Sequence, residues 1–434
     1  MIAWKTIEMN RLQILMFQII SIRYHLSIIC TFFFTIIIVQ MSSEKSRKIV
    51  LLVAILLISL NLRPAITAVG PLVSEIRLDT GLSSSAIGLL TTLPVLGFGL
   101  ISVLTPLFTR RIGTEGTMLL ALTLLTGGIF LRIHPSILAL YSGTILLGIG
   151  IALGNVLLPG IVKKQFPEKA GAMTGLYSAA LGVGAAVASG ASVPLSETYG
   201  LGWRWALGVW GLLAFVALIF WLPQMRINIP IILKKGFRQS LRQLGSSKLA
   251  WHVAIFMGVQ SLSFYTLIAW LPDILIYRGM SAGEAGWQLA LMQGVGITST
   301  LIFPAWASRI KEQKKPVIVL VIIEFIALIG LSVPSIGYIS VWVALMGFGL
   351  GGSFGLALLL IVLRSRSTTS ANELSGMSQS VGYSLAATGP VLFGAIFDWF
   401  DNWMFPIGFL FIIALIKLWS GLGAGRDEYV DQEG

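Results

Sequence analysis

The chain has 434 residues, 56% of them hydrophobic and only 11% charged, with a mean hydropathy of +0.88. Soluble domains carry about 25% charged residues, so this composition excludes a soluble globular fold and reads as a polytopic helical membrane protein. The net charge of +12 is accounted for by cations gathered in loops on one side of a membrane, and no nucleic-acid partner is expected.

Cys30 is the single cysteine, and His25, His134 and His252 lie far apart, which leaves no intramolecular disulfide and no cysteine-based metal site. HExxH, Walker and GxSxG motifs are absent. No metal, cofactor, enzymatic activity or ATP-driven pumping is expected.

Residues 1–47 read as an N-terminal extension. Residues 24–39 are apolar enough for a short span, and Arg11 and Arg23 interrupt what precedes them. Three readings compete: an extra helix, a targeting segment, or non-native sequence upstream of a start at Met41. The third is favoured. Met41-Ser-Ser-Glu-Lys-Ser-Arg-Lys48 has the look of an ordinary short cytoplasmic start, and no small-residue cleavage site follows the apolar run.

Twelve spans follow, near 49–73, 84–108, 115–133, 137–162, 170–196, 203–223, 249–277, 285–308, 316–334, 337–363, 373–399 and 402–422. They group into an N-terminal six-helix bundle (48–223), a basic linker (224–248), a C-terminal six-helix bundle (249–422) and a tail (423–434). The linker contains Arg226, Lys234, Lys235, Arg238, Arg242 and Lys248.

Within the first span, Arg63 stands about 14 residues in, roughly 21 Å along a helix and near mid-membrane. A guanidinium there costs at least ~2.5–3.5 kcal/mol on insertion scales. It requires a water-filled cavity, a protein acceptor or an anionic ligand. Pro64 removes a backbone donor beside it, which predicts a kink.

Loop cations orient the spans. With the start of span one inside, 21 cations fall on the cytoplasmic side: Lys45, Arg47, Lys48, Arg110, Arg111, Lys163, Lys164, Lys169, the six of the linker, Arg309, Lys311, Lys314, Lys315, Arg364, Arg366 and Arg426. Four fall outside: Arg77, Arg132, Arg204 and Arg278. Both ends of the twelve-helix core are therefore expected in the cytoplasm.

The two halves repeat each other. Gly81-Leu-Ser-Ser-Ser-Ala-Ile-Gly88 aligns with Gly279-Met-Ser-Ala-Gly-Glu-Ala-Gly286, residues 106–112 with 304–310, and Gly148-Ile-Gly150 with Gly347-Phe-Gly349. A nearly constant shift indicates duplication of a six-helix unit. The repeat mate of Arg63 falls near Ser263 and Phe264, so symmetry supplies no balancing charge.

Two parallel six-helix halves joined by a basic loop resemble the major facilitator transporters. Asn61-Leu-Arg-Pro64, Gly88-Leu-Leu-Thr-Thr-Leu-Pro94, Gly154-Asn-Val-Leu-Leu-Pro-Gly160, Trp221-Leu-Pro223, Trp270-Leu-Pro272 and Leu374-Ser-Gly-Met-Ser-Gln-Ser-Val-Gly-Tyr383 together resemble the cyanate porter family, over about residues 48–427. The resemblance implies two pseudo-symmetric six-helix bundles that rock around a central site, and a monomer in the bilayer. It leaves the substrate open. One departure concerns the loop between spans two and three. Thr109 stands where the superfamily usually carries an acid before Arg110 and Arg111, which puts an acid-based latch there in doubt.

The resemblance also implies that spans one, four, seven and ten line the cavity. The substrate-binding candidates are then Arg63 and Asn61 from span one, Asn155 from span four, Tyr265 and Trp270 from span seven, with Gln260 nearby. Gln293, Gln379 and Tyr383 border the cavity from spans eight and eleven. Each has a bland alternative. Arg63 could bond carbonyls freed by Pro64, the amides could make interhelical hydrogen bonds, typically worth ~0.6 kcal/mol, and the aromatics could simply pack.

Glu324 lies mid-span in Val321-Ile-Ile-Glu-Phe-Ile-Ala327. It is a proton-coupling candidate, with a neutral carboxylic acid hydrogen-bonded inside the bundle as the alternative. The glycine run Gly347-Phe-Gly-Leu-Gly-Gly352 is expected to let helices approach or bend rather than to bind a dinucleotide.

The expected function is secondary transport of a small anion or planar polar solute. The alternatives are proton-coupled export of a drug or metabolite and, further off, a non-transporting receptor or channel.

Overall fold

The computed structural model describes residues 44–82, 84–227 and 237–431. The expectations for residues 1–43, and for Lys234 and Lys235 in the linker, lie outside them. Among the described residues, 44–53 fall in one unit and 54–431 in another.

Every regular element among the described residues is helical, as lipid demands: a helix satisfies its own backbone polar groups where no water can. Twelve long helices follow the predicted spans. They are α1 (Glu44–Asn61), α2 (Ser84–Ser102), α3 (Thr105–Leu131), α4 (Ile137–Gln165), α5 (Ala170–Val193), α6 (Gly202–Trp221), α7 (Lys248–Tyr277), α8 (Ala282–Ala307), α9 (Lys314–Ser332), α10 (Ile339–Leu363), α11 (Thr368–Phe400) and α12 (Met404–Ala424). Among the described residues, eleven spans are long and apolar enough to cross a membrane, and α2 contributes a shorter apolar helix, Leu93–Ser102. Part of the linker, read from sequence as a polar interruption, forms a helix of its own, Phe237–Ser246.

Glycine sets the helix spacing. A Cβ at Gly128 of α3 would lie 2.6 Å from the Gly143 carbonyl of α4, and one at Gly351 of α10 would lie 2.1 Å from the Gly296 carbonyl of α8. Only side-chain-free positions allow such approach, the usual device for binding helices together in lipid.

The two halves meet through α5 against α8 and α10, and through α11 against α2 and α4. The closest contacts gather at the end where α5 and α11 begin and α2, α4 and α8 finish. There Arg110 pairs with Glu373 at 3.0 Å, and Gln379 Nε2 donates to the Asn155 carbonyl at 2.9 Å. The Ser380 hydroxyl donates to the Gly99 carbonyl. Gly175 lies against the Leu301 and Thr300 carbonyls.

Several sequence expectations change. The third span starts earlier than residue 115, but its helix is broken at Gly113, whose φ of 75° and ψ of 170° only glycine adopts readily. Arg132, counted as an outer-loop cation, is only 1% exposed. Arg364, counted as a loop cation on the other side, is 2% exposed and donates through Nε to the Ala424 carbonyl at 2.9 Å. Lys417, which no sequence signal marks, lies inside α12 and is completely buried.

Candidate functional site

The site begins at the break in the first span. Pro64 has no N–H, so the Leu60 carbonyl loses its helical donor. Helix α1 ends at Asn61, and a short turn, Pro64–Thr67, restarts the chain with Arg63 as its N-cap.

Neighbouring helices crowd the break, and two carbonyls beside it find side-chain donors. Gly184 of α5 lies so close that a Cβ there would be 2.3 Å from the Leu60 oxygen. The Val69 amide bonds Ile66 rather than Ala65, and the Ala65 oxygen instead accepts from Arg132 Nη1 at 2.8 Å. Pro71 likewise frees the Thr67 carbonyl, which accepts from the Ser189 hydroxyl at 3.3 Å. Arg132 and Ser189 of α5 thus take up the Ala65 and Thr67 carbonyls beside the break.

Arg63 turns into a cavity of about 70 Å³ between the halves, room for roughly five water molecules. Its guanidinium carbon lies 5.0 Å from the Phe354 ring centroid and 5.9 Å from that of Phe264. Among the described residues no carboxylate pairs with it and none lines the cavity. Two aromatic faces therefore offset part of its desolvation by cation–π attraction.

Around it stand Tyr265 and Gln260 from α7, Gln293 and Thr300 from α8, Ser178 from α5 and Tyr383 from α11. Gln260 is committed to the Met257 carbonyl and the Ser261 hydroxyl, at 3.1 and 2.6 Å. The side chains of Tyr265, Gln293 and Tyr383 make no hydrogen bond to another described residue, so three polar tips and one guanidinium face a common space. Tyr383 also packs on Phe98, with ring centroids 5.0 Å apart.

Of the eight substrate-binding candidates, the cavity collects Arg63, Tyr265, Gln293 and Tyr383. The other four do not line it. Asn61 donates to the Leu57 and Leu213 carbonyls at 2.7 and 3.2 Å. Asn155 contributes its backbone oxygen to Gln379, whose amide also reaches the Ser375 hydroxyl at 2.9 Å, so both serve the seam between the halves. Trp270 donates to the Pro390 carbonyl at 2.8 Å and packs against Trp403.

Sequence reasoning missed Phe354, Ser178 and Thr300 as wall residues. Phe264 carried a signal: it falls at the repeat position of Arg63, and it sits against Arg63.

Glu324 lies outside the cavity. The expectation of a neutral, hydrogen-bonded acid gives way to a buried ion pair: Lys417 Nζ stands 2.8 and 2.6 Å from its two oxygens, and the Ser353 hydroxyl donates to Oε1 at 3.0 Å. Among the described residues no cluster of three or more His, Cys, Asp or Glu side chains could hold a metal ion.

Comparison with known proteins agrees with this architecture. The sequence pattern of the Major Facilitator Superfamily matches residues 51–387. The chain is 40% identical to the 2-nitroimidazole transporter of Escherichia coli (strain K12), over 90% of this chain and 98% of that one. It is 30% identical to the cyanate transport protein CynX of the same strain, over 83% and 93%. Among solved structures, a single-residue variant of the E. coli fucose:proton symporter FucP superposes with a TM-score of 0.70 at 13% identity, covering 87% of this chain and 99% of that one, a likeness of fold. The chain belongs to the major facilitator superfamily and, within it, to the cyanate porter family of transporters.

Proposed function

We propose that this secondary transporter carries a small anion or planar polar solute, and that Arg63 is the charge that holds it. The observation carrying this reading is a half-buried guanidinium between two aromatic rings with no carboxylate beside it among the described residues. An anionic or polarisable solute would accept hydrogen bonds from Arg63 and from the tyrosine and glutamine tips, while the rings cover its flat faces. The small cavity supports a small solute. The relatives named for 2-nitroimidazole and cyanate supply probes of that chemistry.

Transport follows by alternating access between two halves, residues 48–223 and 249–422, with the ends of the core and the linker in the cytoplasm. The loop-cation asymmetry supports that orientation. The end bearing the Arg110–Glu373 pair is closed in this state. The acid missing at Thr109 is thereby supplied from the opposite half, while the Thr109 hydroxyl donates to the Pro106 carbonyl of its own turn at 3.1 Å. Opening that end requires breaking the Arg110 pair, the Gln379 and Ser380 hydrogen bonds and the α5–α8 contact. The chain works as a monomer on this reading.

The test is counterflow in proteoliposomes, with 2-nitroimidazole and cyanate as probes. Arg63→Ala and Arg63→Gln should abolish saturable exchange while the purified protein keeps its monodispersity and melting temperature. Arg63→Lys should retain part of it. Normal exchange by Arg63→Ala removes Arg63 from the mechanism.

A further inference from the structure

We propose that Glu324, Lys417 and Ser353 form a positioning cluster: from outside the cavity, it fixes the rotation of α10 so that Phe354 stays over the Arg63 guanidinium. The cluster joins three helices of the C-terminal half. Glu324 comes from α9, Lys417 from α12 and Ser353 from α10. Glu324 is 2% exposed and Lys417 fully buried. Both carboxylate oxygens are engaged by the ammonium, and Oε1 also accepts from the Ser353 hydroxyl.

Helix α10 packs closely on α8, to which the Thr300 hydroxyl ties it by donating to the Gly351 carbonyl at 2.9 Å, and the cluster adds a directional contact on its α9 and α12 side. Positions 347, 349, 351 and 352 are glycines. Gly347 and Gly351 lie against the Met292 and Gly296 carbonyls of α8, and Gly349 lies against Glu324 Cγ. Smooth backbone of this kind permits close packing, and directional polar contacts such as the cluster then set the rotation.

The geometry links the two sides of α10. Gly349 and Ser353, four residues apart, meet the cluster, while Leu350 and Phe354, one residue further on, line the cavity. Those faces are about 100° apart on the same turns. A rotation of about 20° would carry a ring about 6 Å from the axis through about 2 Å. That is enough to spoil the 5.0 Å placement of Phe354 on Arg63. A buried ion pair is seldom a net source of stability, whereas it is directional and resists being half-made, which suits it to setting an angle.

The inference rests on Arg63 as the substrate charge, so its test includes a readout that needs no substrate. In a Cys30→Ala background, Phe354→Cys is labelled with a water-soluble maleimide. This is done with the cluster intact, with Glu324→Leu/Lys417→Leu together, and with Ser353→Ala. The labelling rate should change by about fivefold or more in the double variant and by a smaller factor in Ser353→Ala. With Phe354 retained, the double variant should raise KM for 2-nitroimidazole about tenfold with little change in maximal rate.

A purely structural pair would leave a folded double variant with unchanged labelling and KM, and that result overturns the proposal. Should the double variant fail to fold, Ser353→Ala, which leaves the ion pair in place, decides alone: unchanged labelling and KM overturn the proposal. Altered labelling with transport insensitive to Arg63→Ala would keep the clamp and discard the role of Arg63.

Discussion

A methyl group at Gly171 should unseat the closed end. Gly171 begins the contact of α5 with the last turn of α8. A Cβ there would stand 2.3 Å from the Pro304 carbonyl oxygen, 2.0 Å from Ser308 Oγ and 2.4 Å from Ser308 Cβ. The serine hydroxyl can rotate away, but the carbonyl cannot. Ordinary contact begins near 3.4 Å, so relief needs the helices to part by about 1 Å, a typical overpacking strain of ~1–3 kcal/mol. The strain exists only while these helices touch. It therefore falls on one conformation and should shift the balance about 5- to 150-fold toward the state in which that end is open.

Spin labels at Glu168 and Lys311, both exposed, report the separation of the halves by pulsed electron resonance in nanodiscs. Gly171→Ala should enlarge a longer-distance population at the expense of the short one. Gly190→Ala, on the same helix with nothing within 4 Å, should leave the distribution as it was. An unchanged distribution for Gly171→Ala, with normal folding, would refute the assignment of this contact to a gate.

Other changes test the same account from different sides. Glu373→Gln removes the partner of Arg110 in a largely buried pair, its side chains 16% and 14% exposed; the same label pair should report an opening, reversed by the charge-exchanged Arg110→Glu/Glu373→Arg. Phe354→Ala removes one aromatic face from Arg63, and at ~1–2 kcal/mol for a desolvated cation–π contact the KM for 2-nitroimidazole should rise about 5- to 30-fold in counterflow. Lys417→Met alone strands the Glu324 carboxylate and should cost ~3–5 kcal/mol, read as a sharp fall in melting temperature; the paired Glu324→Leu/Lys417→Leu should recover most of it.

Hydropathy made the helices legible because each helical crossing needs a long apolar run that satisfies its own backbone in lipid. It could not place partners. Asn61 and Gln379 look like binding residues in a list of intramembrane amides, yet each donates to a backbone carbonyl on a neighbouring helix, Asn61 to Leu213 and Gln379 to Asn155 in the seam between the halves. A carbonyl acceptor leaves no mark in sequence. Lys417 escaped notice because one charge barely lowers the mean of a 21-residue apolar helix. Phe354 was silent for the opposite reason: an aromatic in an apolar run resembles packing until its neighbour across the cavity is known. Phe264 shows what repeat symmetry adds, since the position opposite a lone charge turned out to hold the ring that faces it.

The cations within the fold also argue among themselves. The deeply buried ones have internal acceptors: Lys417 has Glu324, Arg132 the Ala65 carbonyl, and Arg364 the Ala424 carbonyl. Among the described residues, Arg63 has ring faces and the open side of a small cavity around it and no carboxylate partner. A charge so placed selects by sign before it selects by shape. At 4 Å and an effective dielectric constant near 20, a unit anion gains and a unit cation loses ~4 kcal/mol, about a thousandfold each way. A polar neutral ring lies between these limits and depends on stacking and on the tyrosine and glutamine tips. A buried carboxylate beside Arg63 would cancel that field and leave the rings to discriminate alone. The unpaired state of Arg63 is thus the physical basis for expecting anions and electron-rich planar solutes, and for expecting organic cations to be excluded.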